Sequence, residues 1–144
     1  MRSSQKGFTL VEIMVVVGII VLLATIAIPN LLKAKAAANK SAAIAILKAL
    51  STATEMYATA NNGNYPTDEN KIVSPIPPYM NKSYCEKWNS GYWIHCRWND
   101  GTIGYGYNFA AEPGDMALDK SVYVIRPGGE LLIFASQYLA DGYP

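Results

Sequence analysis

The feature that most constrains this chain is an uncharged stretch of 20 residues, from Ile13 to Leu32. As an α-helix rising about 1.5 Å per residue, the stretch reaches roughly 30 Å, the thickness of the hydrocarbon core of a bilayer. It can therefore span a membrane as one helix. Glu12 stands at its edge. Because an ionisable side chain costs on the order of 2.5–3.5 kcal/mol at the centre of a membrane helix, we expect this carboxylate to meet a cation.

The residues before the apolar stretch differ from an ordinary secretory signal, in which a small-residue cleavage site follows the apolar stretch. Residues 1–7 are short, polar and basic, with Arg2 and Lys6 as their cations. The small residue beside the apolar stretch is Gly7, and it lies in front. Cleavage there would leave the membrane span attached to the mature protein.

The sequence Gly-Phe-Thr-Leu-Val-Glu from Gly7 to Glu12, followed by an apolar helix with Pro29 near its end, resembles the N-terminus of type IV pilins and type II secretion pseudopilins. The resemblance implies that a membrane-embedded prepilin peptidase cuts after Gly7 and methylates the new terminal amine of Phe8. It also implies that Glu12 pairs with the Phe8 amine of a neighbouring subunit. The alternative is a signal anchor in which Glu12 lies near the membrane interface by chance, where its carboxylate can extend to the lipid headgroups at modest cost.

The pattern after the span predicts that the helix continues outward. Apolar and small residues recur at helical spacing, and Asn61-Asn62-Gly63 is a plausible stop because Asn and Gly tolerate left-handed backbone. The predicted divisions are a leader (1–7), a transmembrane and filament-core half-helix (8–32), an amphipathic half-helix (33–60) and a globular head (61–144). The predicted stripe comprises Ile44, Leu47, Leu50, Thr54 and Tyr57, with Ala49, Ala53 and Ala58. Lys40 and Lys48 are expected to face solvent or another subunit.

Pro29 lacks an amide hydrogen and clashes with the preceding turn, so we expect a kink or local opening of the helix near residues 25–30. In lipid, the loosened backbone would need partners from neighbouring chains or from side chains such as Thr25. A kink at the membrane surface is the alternative.

Prolines dominate residues 61–82, which predicts a surface loop without regular helix. Pilins and pseudopilins carry a similar loop, which either contacts adjacent subunits or covers the head's own core. Beyond it, alternating and aromatic segments predict strands joined by glycine-bearing turns, with Gly128-Gly129 at a hairpin. The predicted strands are Tyr92–Trp98, Tyr105–Phe109, Val122–Arg126 and Leu131–Ala135.

A long N-terminal helix packed on a small antiparallel sheet is an α+β fold. The family resemblance implies the ladle-shaped version of that fold found in pilins.

The two cysteines of the chain, Cys85 and Cys96, predict one disulfide if this part lies outside the cytoplasm. A turn at Asn89-Ser90-Gly91 lies midway, so the thiols can meet across a hairpin. A reduced pair is the alternative, whereas a zinc site would need ligands beyond the single histidine, His95.

No catalytic constellation is present, so we expect neither an enzyme nor a cofactor. His95 is a lone strand histidine, and such residues are more often packed or exposed than catalytic. Glu112, Asp115 and Asp119 are expected to share a loop, and major pseudopilins are known for calcium in a comparable late loop. Their spacing fits calcium poorly, so no metal site is predicted and a solvated acidic loop is favoured.

The net charge of +1 falls to about −1 once Arg2 and Lys6 leave with the leader, so no basic groove for nucleic acid is expected. We therefore expect the 10 tyrosines and 3 tryptophans to pack in the core of the head, with subunit contact or adhesion as the alternative.

The family resemblance implies a structural subunit that resides in the bacterial inner membrane with its head in the periplasm, before assembly into an extracellular type IV pilus. Its expected partners are further copies of itself, the prepilin peptidase, and an assembly platform with its ATPase. A type II secretion pseudopilin is the nearest alternative, followed by a minor or tip subunit. A more distant alternative is a binding domain tethered to the membrane. Motility, adhesion, DNA uptake and glycosylation are not predicted from the sequence.

Overall fold

A computed structural model describes residues 7–99, 106–114 and 119–135. The chain divides into two units, Met1–Lys35 and Ala36–Pro144. A single long helix, α1 (Leu10–Ala60), supplies the first unit and begins the second. The described structure of the second unit otherwise comprises a one-turn helix and an antiparallel sheet.

The first unit exposes almost all of its apolar surface. Within the described residues, α1 is the helix with the length and composition needed to cross a membrane. Leu10 is 74% exposed and Leu31 is 69% exposed. Contiguous apolar surface of this extent is unfavourable in water, so it requires either lipid or other helices around it.

Helix α1 ends where the sequence predicted. The amide of Gly63 donates a hydrogen bond to the carbonyl of Ala58 at 2.8 Å. Asn62 and Gly63 both have left-handed backbone, with φ of 58° and 84°. These two residues stop the helix because they adopt that conformation at lower steric cost than other residues do.

The loop prediction for residues 61–82 was wrong at one place, because Asn70–Val73 forms a short helix, α2. The side chain of Asp68 accepts a hydrogen bond from the amide of Asn70 at 2.9 Å. Ile72 is fully buried. The hydrogen bond to Asp68 and the burial of Ile72 therefore stabilise this single helical turn, although prolines surround it in the sequence.

The sheet is a five-stranded antiparallel meander in the order β1-β2-β3-β4-β5. Each strand pairs with its neighbour in sequence, which is the simplest topology for strands joined by short turns. The strands are β1 (Lys87–Asn89), β2 (Tyr92–Trp98), β3 (Tyr107–Pro113), β4 (Ser121–Arg126) and β5 (Glu130–Ala135).

The α+β class and the predicted β2 are confirmed, while β3 differs from its prediction. Strand β3 begins at Tyr107 and continues to Pro113, and Tyr105 lies outside the described residues. Glu112 therefore belongs to a strand and not to a loop, because it pairs with Trp93 of β2. The three-residue strand β1 was not predicted, since so short a segment carries no readable alternation.

The core of the second unit lies between one face of α1 and one face of the sheet. Leu47, Leu50 and Thr54 on α1 are completely buried, as are Tyr107 and Phe109 on β3. The hydroxyls of Ser51 and Tyr107 lie 2.8 Å apart and share a hydrogen bond inside this core. The predicted stripe is confirmed except at Ala49, which is exposed. Ala49 lies on the opposite side of a helix that buries only one face.

We predict that Leu47→Ala lowers the free energy of unfolding of the second unit by about 2–5 kcal/mol, because it leaves a cavity between helix and sheet. Ile133→Ala is the matched control, since Ile133 is 61% exposed. Its effect should stay near 0.5 kcal/mol or below. The measurement is chemical unfolding of the full chain in detergent, followed by tryptophan fluorescence from the sheet. Equal destabilisation by both variants would contradict this description of the core.

Candidate functional site

The start of α1 is closed by a reciprocal pair of hydrogen-bonding residues, Thr9 and Glu12. The amide of Glu12 donates to Thr9 Oγ1 at 3.2 Å. In return, the amide and hydroxyl of Thr9 donate to Glu12 Oε2 at 2.8 and 2.7 Å. This arrangement is a capping box, in which the N-cap residue and the residue three positions later satisfy each other's amides. A role for Glu12 was predicted from the sequence, whereas its hydrogen bonds to Thr9 were not.

The cap holds the Glu12 carboxylate at the helix N-terminus, where the aligned peptide dipoles favour negative charge. Both hydrogen bonds from Thr9 reach the same oxygen, Oε2. Among the described residues, no hydrogen bond reaches Oε1. A carboxylate has about four acceptor positions. Glu12 can therefore maintain its own cap and accept an external cation at the same time.

Gly7 and Phe8 lie immediately before this cap and are exposed in the isolated chain. A Cβ placed on Gly7 would meet no atom within 4 Å, and Phe8 is 83% exposed. The predicted cleavage point therefore lies in accessible chain, while residues 1–6 lie outside the described residues. Cleavage after Gly7 and methylation of Phe8 remain predictions.

Helix α1 passes through Pro29 without interruption. Since proline has no amide hydrogen, the carbonyl of Thr25 loses its usual helical donor. The Thr25 hydroxyl instead donates to the carbonyl of Val21 at 2.8 Å. The predicted kink at Pro29 stays a prediction.

The Cys85–Cys96 disulfide is present, with Cα atoms 5.5 Å apart. It closes the hairpin of β1 and β2, whose turn has left-handed backbone at Ser90 and Gly91. Glu86 stabilises the same hairpin, because its carboxylate accepts hydrogen bonds from the Cys96 amide at 3.1 Å and from Trp93 Nε1 at 3.3 Å.

Glu69 connects the loop of residues 61–82 to the start of the disulfide-bonded hairpin by hydrogen bonds. Its carboxylate accepts bonds from the Ser83 hydroxyl at 2.6 Å and from the amides of Tyr84 and Cys85 at 2.6 and 3.0 Å. The role of Glu69 was not predicted from the sequence, since its partners are 14 to 16 positions away. The bonds give the loop a defined path up to the disulfide.

His95 is a surface side chain held between two acids. Its Nε2 lies 3.1 Å from the Glu112 carboxylate, and its Nδ1 lies 3.7 Å from that of Glu86. Glu86 and Glu112 were not predicted to meet the histidine, because strand pairing brings them together.

The acids considered for calcium do not converge. Glu112 bonds to His95, whereas Asp119 accepts hydrogen bonds from the hydroxyls of Tyr92 and Tyr123 at 2.6 and 2.8 Å. Asp115 lies outside the described residues. Within the described ranges, no group of three His, Cys, Asp or Glu side chains could hold a metal ion.

Asp119 instead joins the sheet to α1. Burial alone would raise the pKa of its carboxyl, but the bonds from Tyr92, Tyr123 and the Ser121 amide lower that pKa below its ordinary value. Lys40 of α1 contributes in the same direction, and its Nζ lies 5.1 Å from the centre of the Tyr123 ring. Burial and the bond to Asp119 raise the pKa of Tyr92.

We predict that Asp119→Asn lowers the free energy of unfolding by about 1 kcal/mol at pH 7, because two tyrosines lose a charged acceptor. A carboxyl whose pKa is lower in the folded state stabilises fully above its unfolded pKa of about 3.9 and loses that contribution as pH falls through the folded pKa. The difference from the native protein should therefore shrink as the pH falls below about 3.9 and through the lower folded pKa of Asp119. Near-UV circular dichroism melts of the full chain between pH 7 and pH 2.5 test this. Glu130→Gln, on an exposed acid, is the control.

An apolar helix at the N-terminus that continues into an antiparallel sheet unit defines a class of membrane-anchored α+β proteins. The prokaryotic N-terminal methylation motif matches residues 2–28 of this chain.

The chain is 33% identical over 135 residues to type II secretion system core protein G of Escherichia coli K12, covering 83% of this chain and 90% of that protein. It is 34% identical over 127 residues to the type IV wide pilus major component PilA4 of Thermus thermophilus, covering 85% and 88% of the two chains. A type II secretion system core protein G of Klebsiella michiganensis is 44% identical over 75 residues, about half of each chain at 52%. No solved structure matches the chain.

The chain therefore belongs to the family of type IV pilins and type II secretion pseudopilins. Members of this family are structural proteins that are processed by prepilin peptidase and assemble into filaments.

Proposed function

We propose that this protein is a structural subunit of a type IV pilus. In this proposal the prepilin peptidase removes residues 1–7 and methylates the amine of Phe8. Residues 8–32 then hold the subunit in the inner membrane, with residues 33–60 and the head, 61–144, in the periplasm. An assembly platform and its ATPase would extract subunits into an extracellular helical filament.

The observation that carries the proposal is the exposed apolar surface of α1 together with the carboxylate at its start. Val11 is 67% exposed and Leu22 is 70% exposed. In a filament, these side chains would pack against the helices of other copies instead of lipid. Because lipid tails are as apolar as the side chains, close packing and polar pairing must favour the bundle over the membrane.

Glu12 supplies the polar pairing in this proposal. Its Oε2 is bonded to Thr9, and Oε1 is available to the Phe8 amine of a neighbouring subunit. In a helix bundle that excludes water, the two charges are paired in only one axial alignment of neighbouring subunits. Any other alignment would leave a buried charge unpaired, so the ion pair would set the axial register between subunits.

A type II secretion pseudopilin is the second candidate, and the comparisons with known proteins favour it. Two of the three relatives described above carry the name type II secretion system core protein G. The match to PilA4 has nearly the same identity and coverage as the match to the E. coli protein. The location of the assembled filament therefore separates the candidates better than sequence identity does.

The experiment that tests the proposal is intact-mass analysis, without reduction, of sheared extracellular filaments and of the membrane fraction from the same cells. We expect the sheared filaments to contain Phe8–Pro144 with one added methyl group and an intact Cys85–Cys96 disulfide.

Finding the processed mass only in the membrane fraction would support the pseudopilin instead. A chain that still carries residues 1–7 would contradict processing altogether and would favour the tethered binding domain.

We further predict that Glu12→Ala lowers the yield of sheared filaments at least about tenfold, since a loss of about 1.4 kcal/mol per contact is already tenfold. The host should lack its other pilins, so that no native subunit rescues assembly. Glu130→Ala is the matched control, because it removes an exposed carboxylate of β5. A normal filament yield from Glu12→Ala would contradict the proposed role in register.

A further inference from the structure

The hairpin of β1 and β2 carries two indoles on the sheet face that points away from α1. Trp88 and Trp93 lie directly opposite each other in the strand pairing. Ile94, the residue after Trp93, is fully buried in the core, and successive side chains alternate between the two faces of a strand. The centroids of the two indoles are 5.4 Å apart and their planes are inclined at 73°. We name the space between these two rings the indole corner.

Trp88 is held in place although it is 60% exposed. A Cβ placed on Gly114 would lie 2.6 Å from Cζ3 of Trp88, so the indole lies directly against the backbone of Gly114. The amide of Gly114 in turn donates to the carbonyl of Gly91 at 2.9 Å. Because backbone contacts already restrict this ring, a ligand that binds it has little left to order. A large indole that is both exposed and ordered is typical of a binding surface.

Cross-strand aromatic pairs also stabilise hairpins, but that role requires neither the exposure of Trp88 nor carboxylates beside the pair. Two carboxylates are present. Glu86 accepts a hydrogen bond from Trp93 Nε1 at 3.3 Å. Glu112 of β3 pairs with Trp93 of β2 in the sheet, which places the two side chains next to each other on the same face. The indole corner therefore combines aromatic ring faces with negative charge, and both attract cations.

The charge of the two acids is only partly offset. Within the described ranges, Glu86 and Glu112 each have His95 as an ion-pair partner within 4 Å, and this histidine is charged only when it is protonated. The lysine of β1 donates to a serine hydroxyl at 2.7 Å instead. Arg97 is on the same face of β2 as Trp93 but four residues further along, about 13 Å in an extended strand. The surroundings of the indoles are therefore more negative than positive.

The carboxylates offer charge more than open acceptor positions. Glu86 already accepts hydrogen bonds at both oxygens, from the Cys96 amide and from Trp93. Oε2 of Glu112 lies 3.1 Å from His95 Nε2. A primary ammonium or a guanidinium needs several acceptors in place of water, and an unsatisfied donor is costly. A quaternary ammonium has no N–H donor and can place its methyl groups against both rings, so the corner favours this class of cation.

We infer that the indole corner binds a quaternary ammonium cation, such as the trimethylammonium group of choline, between Trp88 and Trp93 and beside Glu86 and Glu112. The inference goes beyond the proposed function, because it applies equally to a pilus subunit and to a secretion pseudopilin. Its test does not require assembly, so the two can fail separately.

Ligand-observed NMR of the full chain in a maltoside detergent, which carries no cation, tests the inference. Choline is titrated in parallel with its neutral carbon analogue, in which a tert-butyl group replaces trimethylammonium. We expect saturation transfer to the methyl protons of choline, and at least about fivefold weaker binding of the neutral analogue. Equal binding of the two compounds, or no binding of choline at about 50 mM, would overturn the inference.

Variants of the exposed indole locate the site. Trp88→Ala should weaken choline binding at least about fivefold, whereas Trp88→Phe should retain part of it, because a benzene ring attracts cations less strongly than an indole does. Ile133→Ala is the matched control, since Ile133 is 61% exposed and belongs to β5, at the opposite edge of the sheet. Unchanged choline affinity in Trp88→Ala would overturn the inference.

A charge variant tests the site while keeping both indoles and their hairpin contact. Glu112→Gln should weaken choline binding about threefold, because one attracting charge is lost. It should leave binding of the neutral analogue unchanged. Glu130→Gln, on an exposed acid of β5, should change neither. Choline affinity at the native level in Glu112→Gln would contradict the proposed part of the carboxylates and overturn the inference.

Phosphocholine distinguishes a free cation from a lipid headgroup, since it carries the same trimethylammonium group beside a phosphate. Glu86 and Glu112 would repel that phosphate, so choline should bind more tightly than phosphocholine. Tighter binding of phosphocholine would indicate a lipid headgroup and overturn the assignment of the corner to a cation selected by two carboxylates.

Discussion

The exposed apolar surface of Phe8 and of α1 as far as Leu32 is unfavourable in water. The other features of the protein follow from the need to cover it. A membrane or a bundle of identical helices can cover the surface, and lipid alone offers no geometric preference between copies. The polar groups at the start of the helix then decide how copies align. Thr9 holds the Glu12 carboxylate in place, so the acid is oriented before any neighbouring subunit arrives.

Carboxylates also organise the second unit, where each one joins segments that are distant in sequence. Glu69 connects α2 to the disulfide hairpin, Asp119 connects two strands, and Glu55 connects α1 to the β4–β5 turn. Hydrogen bonds to a charged acceptor are stronger than neutral ones, so few of them suffice to fix loops against a small core.

Local signals predicted the long helix, its stop at Asn62 and Gly63, the strand Tyr92–Trp98 and the hairpin at Gly128. Each of these depends on spacing or backbone freedom within a few residues. The prediction failed for α2 and β1, which are too short to show a period. It also failed for Glu112, because only pairing with β2 reveals that this residue belongs to a strand.

The sequence by itself determined the family, the apolar helix and the position of Glu12, because these depend on order and composition along the chain. It predicted the disulfide, which the structure contains. Tertiary structure alone decided which acids meet tyrosines, which acids meet the histidine, and that Glu55 lines an open groove beside the β4–β5 turn. The contacts of Glu112 with His95, Asp119 with Tyr92 and Glu55 with Gly128 join residues that are 17, 27 and 73 positions apart. Such separations depend on strand register and on how the helix packs against the sheet, and neither is encoded in any single segment.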